Sequence, residues 1–254
     1  MVHLNFFFRF TFLIIWVVLG FLALLLMSPL RMANIKKKVI RYWSKILLLL
    51  IRLRVICKGE KNELPEYPFI VVANHISWVD IFVLLSLFPI SFIAKIEIKK
   101  WFFLGCLVEM AGTIFIDRNR SKSLSEVAKN IIQKSADQKK SFAFFPEGKT
   151  SSGKTIQKFH SGLFSLFFEN QAFTLLPVLI KYKKNNVFTE ACAYVGDMTL
   201  LESVVRIIKN SDLSAEVQIM PVNIIKNNIE NKPSAGRKHL ATQIRHKMLE
   251  IYHQ

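Results

Sequence analysis

His75 and Asp80 stand five residues apart in the stretch Val71-Val72-Ala73-Asn74-His75-Ile76-Ser77-Trp78-Val79-Asp80. A histidine with a carboxylate in reach is the pairing that general-base chemistry needs. Imidazole titrates at about 6.5 in water, so it can take a proton from a hydroxyl at neutral pH, and a carboxylate on its other nitrogen steadies the imidazolium that forms. The spacing sets a condition. On an unbroken helix a five-residue step turns about 500°, which sends the two side chains to different sides. The run Phe69 to Ala73 reads as a buried strand, Asn74 to Ser77 carry turn and N-cap residues, and a helix starts near Val79. A turn between strand and helix can fold His75 back over Asp80. The same residues also fit a plainer role, with His75 capping the helix and Asp80 an ordinary first-turn acid favoured by the helix dipole.

A second loop with chemical potential follows the apolar run Phe142 to Phe145: Pro146-Glu147-Gly148-Lys149-Thr150-Ser151-Ser152-Gly153-Lys154-Thr155. It supports two readings. In one, Glu147 and the glycine-rich turn sit at the carboxyl end of a parallel strand, where open α/β sheets bind ligands. In the other, Gly148-x4-Gly153-Lys154-Thr155 matches the phosphate-binding loop of nucleotide-binding proteins, and Ala191 to Asp197 serves as the magnesium-holding strand. Against a nucleotide site stand the carboxylate of Glu147 just before the loop, the Ser161-Gly162 break where a long helix should start, and a His75/Asp80 pair left without a task. Between the two loops, Gly112 to Arg118 reads as a strand with a basic residue at its carboxyl end, placed to hold a phosphate or carboxylate through two hydrogen bonds.

The elements that must position these groups are those of an α/β fold. Beyond Arg54 strand and helix patterns alternate, which predicts a domain over residues 53–254 with a largely parallel central sheet flanked by helices. Strands are expected at Leu53 to Cys57, Phe69 to Ala73, Ile90 to Ala94, Thr113 to Ile116, Phe142 to Phe145, Leu175 to Lys181, Ala191 to Val195 and Val217 to Met220. A helix with a Ser123/Glu126 capping box follows Arg120. Another covers Ala235 to Tyr252, with Leu240, Ile244 and Met248 buried and Arg237, Lys238, Arg245 and Lys247 more exposed.

Residues 1–52 are of another kind. Thr11 to Ser28 contains no charged residue and is long enough for a membrane anchor. Arg31, Lys36, Lys37, Lys38, Arg41 and Lys45 follow it, whereas only Arg9 precedes it, which places the bulk of the chain on the cytoplasmic face. Ile35 to Ile51, basic at its start and carrying Tyr42-Trp43, suits an interfacial helix on anionic lipid, with a core helix as the other reading. In the whole chain of 254 residues 52% are hydrophobic and the formal net charge is +17. That charge admits nucleic acid or an anionic membrane surface as partner. The charge is spread along the chain instead of gathering with aromatic residues in one module, so no nucleic-acid partner is expected. Cys57, Cys106 and Cys192 stand too far apart for a disulfide framework or a zinc site, and no metal is expected.

Asn74-His75 with Asp80, Gly112 to Arg118, Phe145-Pro146-Glu147-Gly148 and Leu176-Pro177-Val178-Leu179-Ile180 resemble, in order and spacing, the four motifs of the glycerolipid acyltransferases. The resemblance covers roughly residues 50 to 230. It implies transfer of an acyl chain from acyl-CoA or acyl carrier protein, without a bound cofactor, to the hydroxyl of a lysolipid. In that scheme His75 is the base, Asp80 orients it, and Arg118, Glu147, Gly148, Lys149 and Thr150 meet the acceptor. The implied acceptor is 1-acyl-sn-glycerol-3-phosphate, giving phosphatidic acid. Members that form this product usually continue Glu-Gly-Thr-Arg, however, and this chain has Glu147-Gly148-Lys149-Thr150. Ser151-Ser152-Gly153, Ser91 to Lys95 and Tyr194 to Met198 look closer to the branch that acylates lyso-ornithine lipid.

Overall fold

A computed structural model describes residues 2–27, 33–59, 68–100, 105, 108–117, 129, 131–133, 140–169, 173–221 and 233–253. Two helices open the chain, α1 (Val2–Met27) and α2 (Ala33–Leu50). The sheet is built from β1 (Leu53–Lys58), β2 (Phe69–Ala73), β3 (Ile90–Lys95), β4 (Ile114–Ile116), β5 (Ser141–Phe144), β6 (Thr174–Lys184), β7 (Val187–Phe188) and β8 (Leu213–Ile219). Among the described residues, the longer helices that cover it are α3 (Val79–Leu87), α4 (Leu200–Lys209) and α5 (Pro233–Tyr252).

The strand order is β1-β8-β6-β2-β5-β3-β4, with β7 hairpinned onto β6. The five pairings β2·β5, β2·β6, β3·β5, β3·β4 and β1·β8 are parallel, and β6·β8 and β6·β7 are antiparallel. The chain is therefore a mixed α/β fold in which β1, β7 and β8 run against the other strands. Every residue of β2 is at most 1% exposed, as befits a central strand covered on both faces. Its alternation divides the core. Phe69, Val71 and Ala73 point to the side of α2, α3 and α4, and Ile70 and Val72 to the side of α5.

The strand expected at Ala191–Val195 does not form. Ala191, Cys192 and Ala193 are buried, but the segment turns, with the Ala193 amide on the Glu190 carbonyl and the Tyr194 amide on that of Ile76. Its apolar residues cover the loop after β2 instead of joining the sheet. The capping-box helix after Arg120 lies outside the described residues except for 129 and 131–133, where Ile131 is buried. In α5, Leu240, Ile244 and Met248 are buried as their period requires; of the four cations expected on the open face Lys238 is exposed, whereas Arg237, Arg245 and Lys247 are half-buried.

The hairpin of α1 and α2 closes through reciprocal tryptophans. Trp16 Nε1 donates to the Trp43 carbonyl at 3.1 Å, and Trp43 Nε1 to the Trp16 carbonyl at 2.9 Å. Arg9 donates to the Leu50 and Ile208 carbonyls, tying α1 to the last turns of α2 and α4. The inner face of α2, with Ile40, Trp43, Leu47 and Leu48, joins the core shared with α3 and the sheet. Among the described residues, Phe6–Met27 is the one segment long and apolar enough to cross a membrane.

Candidate active site

β2 and β5 are parallel neighbours, so the loops that follow them, residues 74–78 and 145–153, leave the sheet at the same carboxyl edge. The first loop turns as the sequence requires. His75 precedes α3 and Asp80 sits in its first turn, and His75 Nδ1 lies 2.8 Å from Asp80 Oδ2. The same oxygen accepts from the amides of Ile76 at 2.7 Å and Ser77 at 2.9 Å. Asp80 thus fixes its loop and the imidazole together. It is fully buried, which a carboxylate tolerates only with its lone pairs satisfied.

The fourth donor comes from the sheet. β6 pairs with β2 up to Ala73, opposite Val178, and then runs on to Lys184. Asn74 extends the ladder with its side chain. Its Oδ1 accepts from the Ile180 amide at 2.7 Å and its Nδ2 donates to the Ile180 carbonyl at 2.9 Å. Two residues on, Tyr182 emerges on the α3 side and its hydroxyl donates to Asp80 Oδ1 at 2.6 Å. Burial, and then the charge of Asp80, hold the Tyr182 phenol well above its ordinary range, so it stays a donor. Cys192, also buried, is pushed up to about 12 by burial and then by Asp80, which keeps it a neutral thiol.

The second loop locks onto the first. Glu147 is 3% exposed, with Oε1 accepting from the His75 amide at 2.7 Å and Oε2 from the Gln157 amide at 2.9 Å. Burial lifts its pKa above the ordinary carboxylate value, outweighing those two donors. The His75 carbonyl in turn accepts from the amide and hydroxyl of Ser151 at 2.9 and 3.1 Å. The His75 ring stacks on Phe145 with centroids 3.9 Å apart. Gly153 lets the loop approach, since a Cβ there would lie 3.0 Å from Ile76 and its φ is +76°.

Of the residues expected at the acceptor, Glu147 has both oxygens on backbone amides, and the Thr150 hydroxyl donates to the Tyr194 carbonyl. Gly148 adopts φ 73° at the turn, and Lys149 is exposed. Arg118 lies outside the described residues. The phosphate-loop reading fails on geometry. No helix starts after Thr155; the next helical turn is the short 3-10 segment Gly162–Ser165. The amides of Gly148, Ser151, Gly153 and Lys154 face acceptors within the two loops. Lys154 pairs with Glu190 at 2.9 Å. A nucleotide site needs those amides open at a helix start.

Tyr182 escapes the sequence reading, because its role depends on how far β6 outruns β2. With Nδ1 engaged by Asp80, the ring presents Nε2 as the nitrogen for a substrate. A histidine oriented by a buried, four-donor carboxylate can accept a proton from a hydroxyl and return it. Among the described residues no three His, Cys, Asp or Glu side chains gather as a metal-ligand set.

Comparison with known proteins gives the family and the fold. A lyso-ornithine lipid O-acyltransferase of Pseudomonas aeruginosa is 31% identical over 189 residues, covering 73% of this chain and 70% of that protein. A 1-acyl-sn-glycerol-3-phosphate acyltransferase of Neisseria gonorrhoeae is 34% identical over 160 residues, 62% of each chain. The crystal structure of the 1-acyl-sn-glycerophosphate acyltransferase PlsC from Thermotoga maritima superposes with a TM-score of 0.65 at 18% identity, covering all of this chain and 95% of that one, and shows a shared fold. The acyltransferase family model matches residues 54–181, a span that contains both loops and ends within β6, one residue before Tyr182. On that match the chain belongs to the acyltransferase family and is an O-acyltransferase.

Proposed function

We propose that this acyltransferase moves an acyl chain from a thioester, carried by CoA or acyl carrier protein, to the free hydroxyl of 1-acyl-sn-glycerol-3-phosphate, giving phosphatidic acid. The observation that carries the reading is the His75–Asp80–Tyr182 arrangement at the carboxyl edge of the sheet. His75 Nε2 takes the hydroxyl proton as the oxygen attacks the thioester carbonyl. The C–S bond then breaks, and the departing sulfur receives the proton from the imidazolium. Such help is typically worth about 10² to 10⁴ in rate. Asp80 keeps the ring oriented and balances the transient charge. No metal or resident cofactor is needed, because a thiolate leaves without Lewis-acid assistance. Lys149 and Arg118 are the cations assigned to the acceptor phosphate, and Glu147, Gly148 and Thr150 shape the loop that carries Lys149.

Lyso-ornithine lipid is the second acceptor reading. Thr150 stands where lysophosphatidate-forming relatives of the motif carry arginine, and its hydroxyl is engaged with Tyr194. In either case the lipid reaches the site from a membrane. Helix α1 anchors the chain, α2 lies at the interface with Tyr42, Ile46 and Leu49 outward, and the basic residues after α1 hold the domain on the cytoplasmic face against anionic lipid. Membranes carrying the protein, supplied with labelled acyl thioester and either acceptor, test the assignment. Transfer should fall by about 10²-fold or more in His75→Ala with membrane association intact. Substantial retained turnover removes His75 as the base, and the acceptor acylated faster decides between the two lipids.

A further inference from the structure

We propose that the C-terminal helix α5 is a positioning element of the transfer site, acting through one peptide group clamped at both ends. Residues 233–252 lie outside the matched span 54–181, so the family pattern assigns them no task. Arg245 Nη2 donates to the Ile156 carbonyl at 2.8 Å, and Nε donates to the same carbonyl at 3.2 Å and to that of Gln157 at 2.8 Å. The Ile156 carbonyl and the Gln157 amide belong to one peptide unit, and that amide is the one Glu147 Oε2 accepts at 2.9 Å. The other Glu147 oxygen holds the His75 amide at 2.7 Å. The chain of contacts therefore runs from the Arg245 guanidinium through a single peptide to Glu147 and on to the backbone of His75.

Three features make this a fixed brace. Ile244 and Met248, on either side of Arg245, are at most 1% exposed in the core beneath α5, so the guanidinium projects from a seated helix. The Tyr252 hydroxyl donates to the Gly153 carbonyl in the same loop. Burial, then the charge of Glu147, pushes the Tyr252 phenol up to about 12, which keeps it a donor. Lys181, on β6, ties the helix end to the sheet by donating to the Ile251 carbonyl at 2.9 Å and lying over the Tyr252 ring. A cation on a carbonyl also strengthens the N–H of that peptide as a donor, by the cooperativity of hydrogen-bond chains. Without Arg245 the 156–157 peptide is free to rotate, Glu147 loses a donor, and His75 loses its registration against Asp80 and Phe145.

The inference rests on the acyl-transfer reading, and one experiment separates the two. Full-length protein is purified in detergent and assayed with acyl thioester and lysolipid as wild type, His75→Ala, Arg245→Ala, Tyr252→Phe and His246→Ala. His246 is on the exposed side of α5, and its replacement should leave activity unchanged. Arg245→Ala should lower kcat by about 10- to 100-fold while KM for both substrates stays within about twofold, the pattern of a misplaced catalytic group. Added guanidinium at millimolar concentration should restore part of that kcat, which a merely structural loss would not allow. Full kcat in folded Arg245→Ala, or a loss that tracks the unfolded fraction and resists guanidinium, overturns the proposal. Where Arg245→Ala does not accumulate, Tyr252→Phe decides: a kcat lowered by about threefold or more at constant KM supports the brace, and an unchanged kcat overturns it. A wild type that acylates no lysolipid removes the functional reading itself. An active wild type with inactive His75→Ala and fully active Arg245→Ala removes only the brace.

Discussion

Glu147 is where the two halves of the site meet, and its burial makes stability depend on pH. Its folded pKa lies above the ordinary carboxylate value because desolvation outweighs two amide donors. For an acid shifted in that direction the native state binds the proton more tightly than the unfolded chain. Its stabilising contribution is complete below the unfolded pKa and is lost as pH rises through the folded one. Glu147→Gln cannot ionise, so its melting temperature should gain on the wild type as pH climbs out of the carboxylate range toward neutrality. Its activity should fall by about tenfold at the same time, because an amide offers one acceptor oxygen where the His75 and Gln157 N–H groups need two. Melting curves of both proteins across acidic to neutral pH check the sign, and a variant that loses ground with rising pH contradicts it. What could be read in advance at this scale was local. His75 and Asp80 are five residues apart and their turn chemistry is written in Asn74 to Ser77. Tyr182, the Asn74–Ile180 pairing and the Arg245 clamp depend on register between distant elements, which no short window of sequence carries.

At the scale of elements, strands buried on both faces were legible because their apolar runs leave little choice. β2 was placed at its observed bounds, and β3 and β5 to within a residue at each end. Ala191 to Val195 has the same composition, but it is buried against the loop after β2 instead of in a ladder, and burial without pairing looks the same in sequence. The direction of β8 was equally hidden, since a strand's sense is fixed by its connection and not by its residues. The contact between α1 and α2 allows a test whose sign separates local propensity from packing. Glycine within a helix costs about 1 kcal/mol relative to alanine, so propensity alone expects Gly20→Ala to stabilise. A Cβ at Gly20, however, would lie 2.1 Å from Trp43 Nε1, the atom that bonds the Trp16 carbonyl. Gly20→Ala should therefore destabilise the detergent-solubilised protein by about 1–3 kcal/mol, as overpacking does. In a Trp43→Ala background, where the indole is gone, the same change should be neutral or stabilising. Thermal unfolding of the four proteins closes this cycle, and a destabilisation that persists without Trp43 would rule out the clasp as its cause.

At the scale of the whole molecule, the proposed membrane attachment has two candidate sources, and they can be told apart. On the proposed membrane reading its net charge of +17 would draw it to anionic lipid, an attraction that salt screens over about 8–10 Å at physiological ionic strength and over less as salt rises. The outer face of α1 offers Phe8, Phe12, Leu19 and Leu26, which are 53, 56, 50 and 74% exposed, while Leu13 and Leu24 of the same helix are buried against the rest of the chain. Apolar area of that kind is insensitive to screening, and each fully buried large side chain contributes about 1.5–3 kcal/mol. Replacing the four exposed residues by serine spares the inner contacts, so the domain should keep its melting temperature, whereas removing α1 outright would strip its cover from Trp43. The full chain should then stay with vesicles of mixed zwitterionic and anionic lipid when salt is raised. The serine variant should bind them at low salt through Lys36, Lys37, Lys38, Arg41 and Lys45 and be released at high salt. Flotation at the two ionic strengths reads the difference: a wild type that salt releases means charge alone holds it, and a serine variant that salt leaves bound means the outer face of α1 is not the anchor.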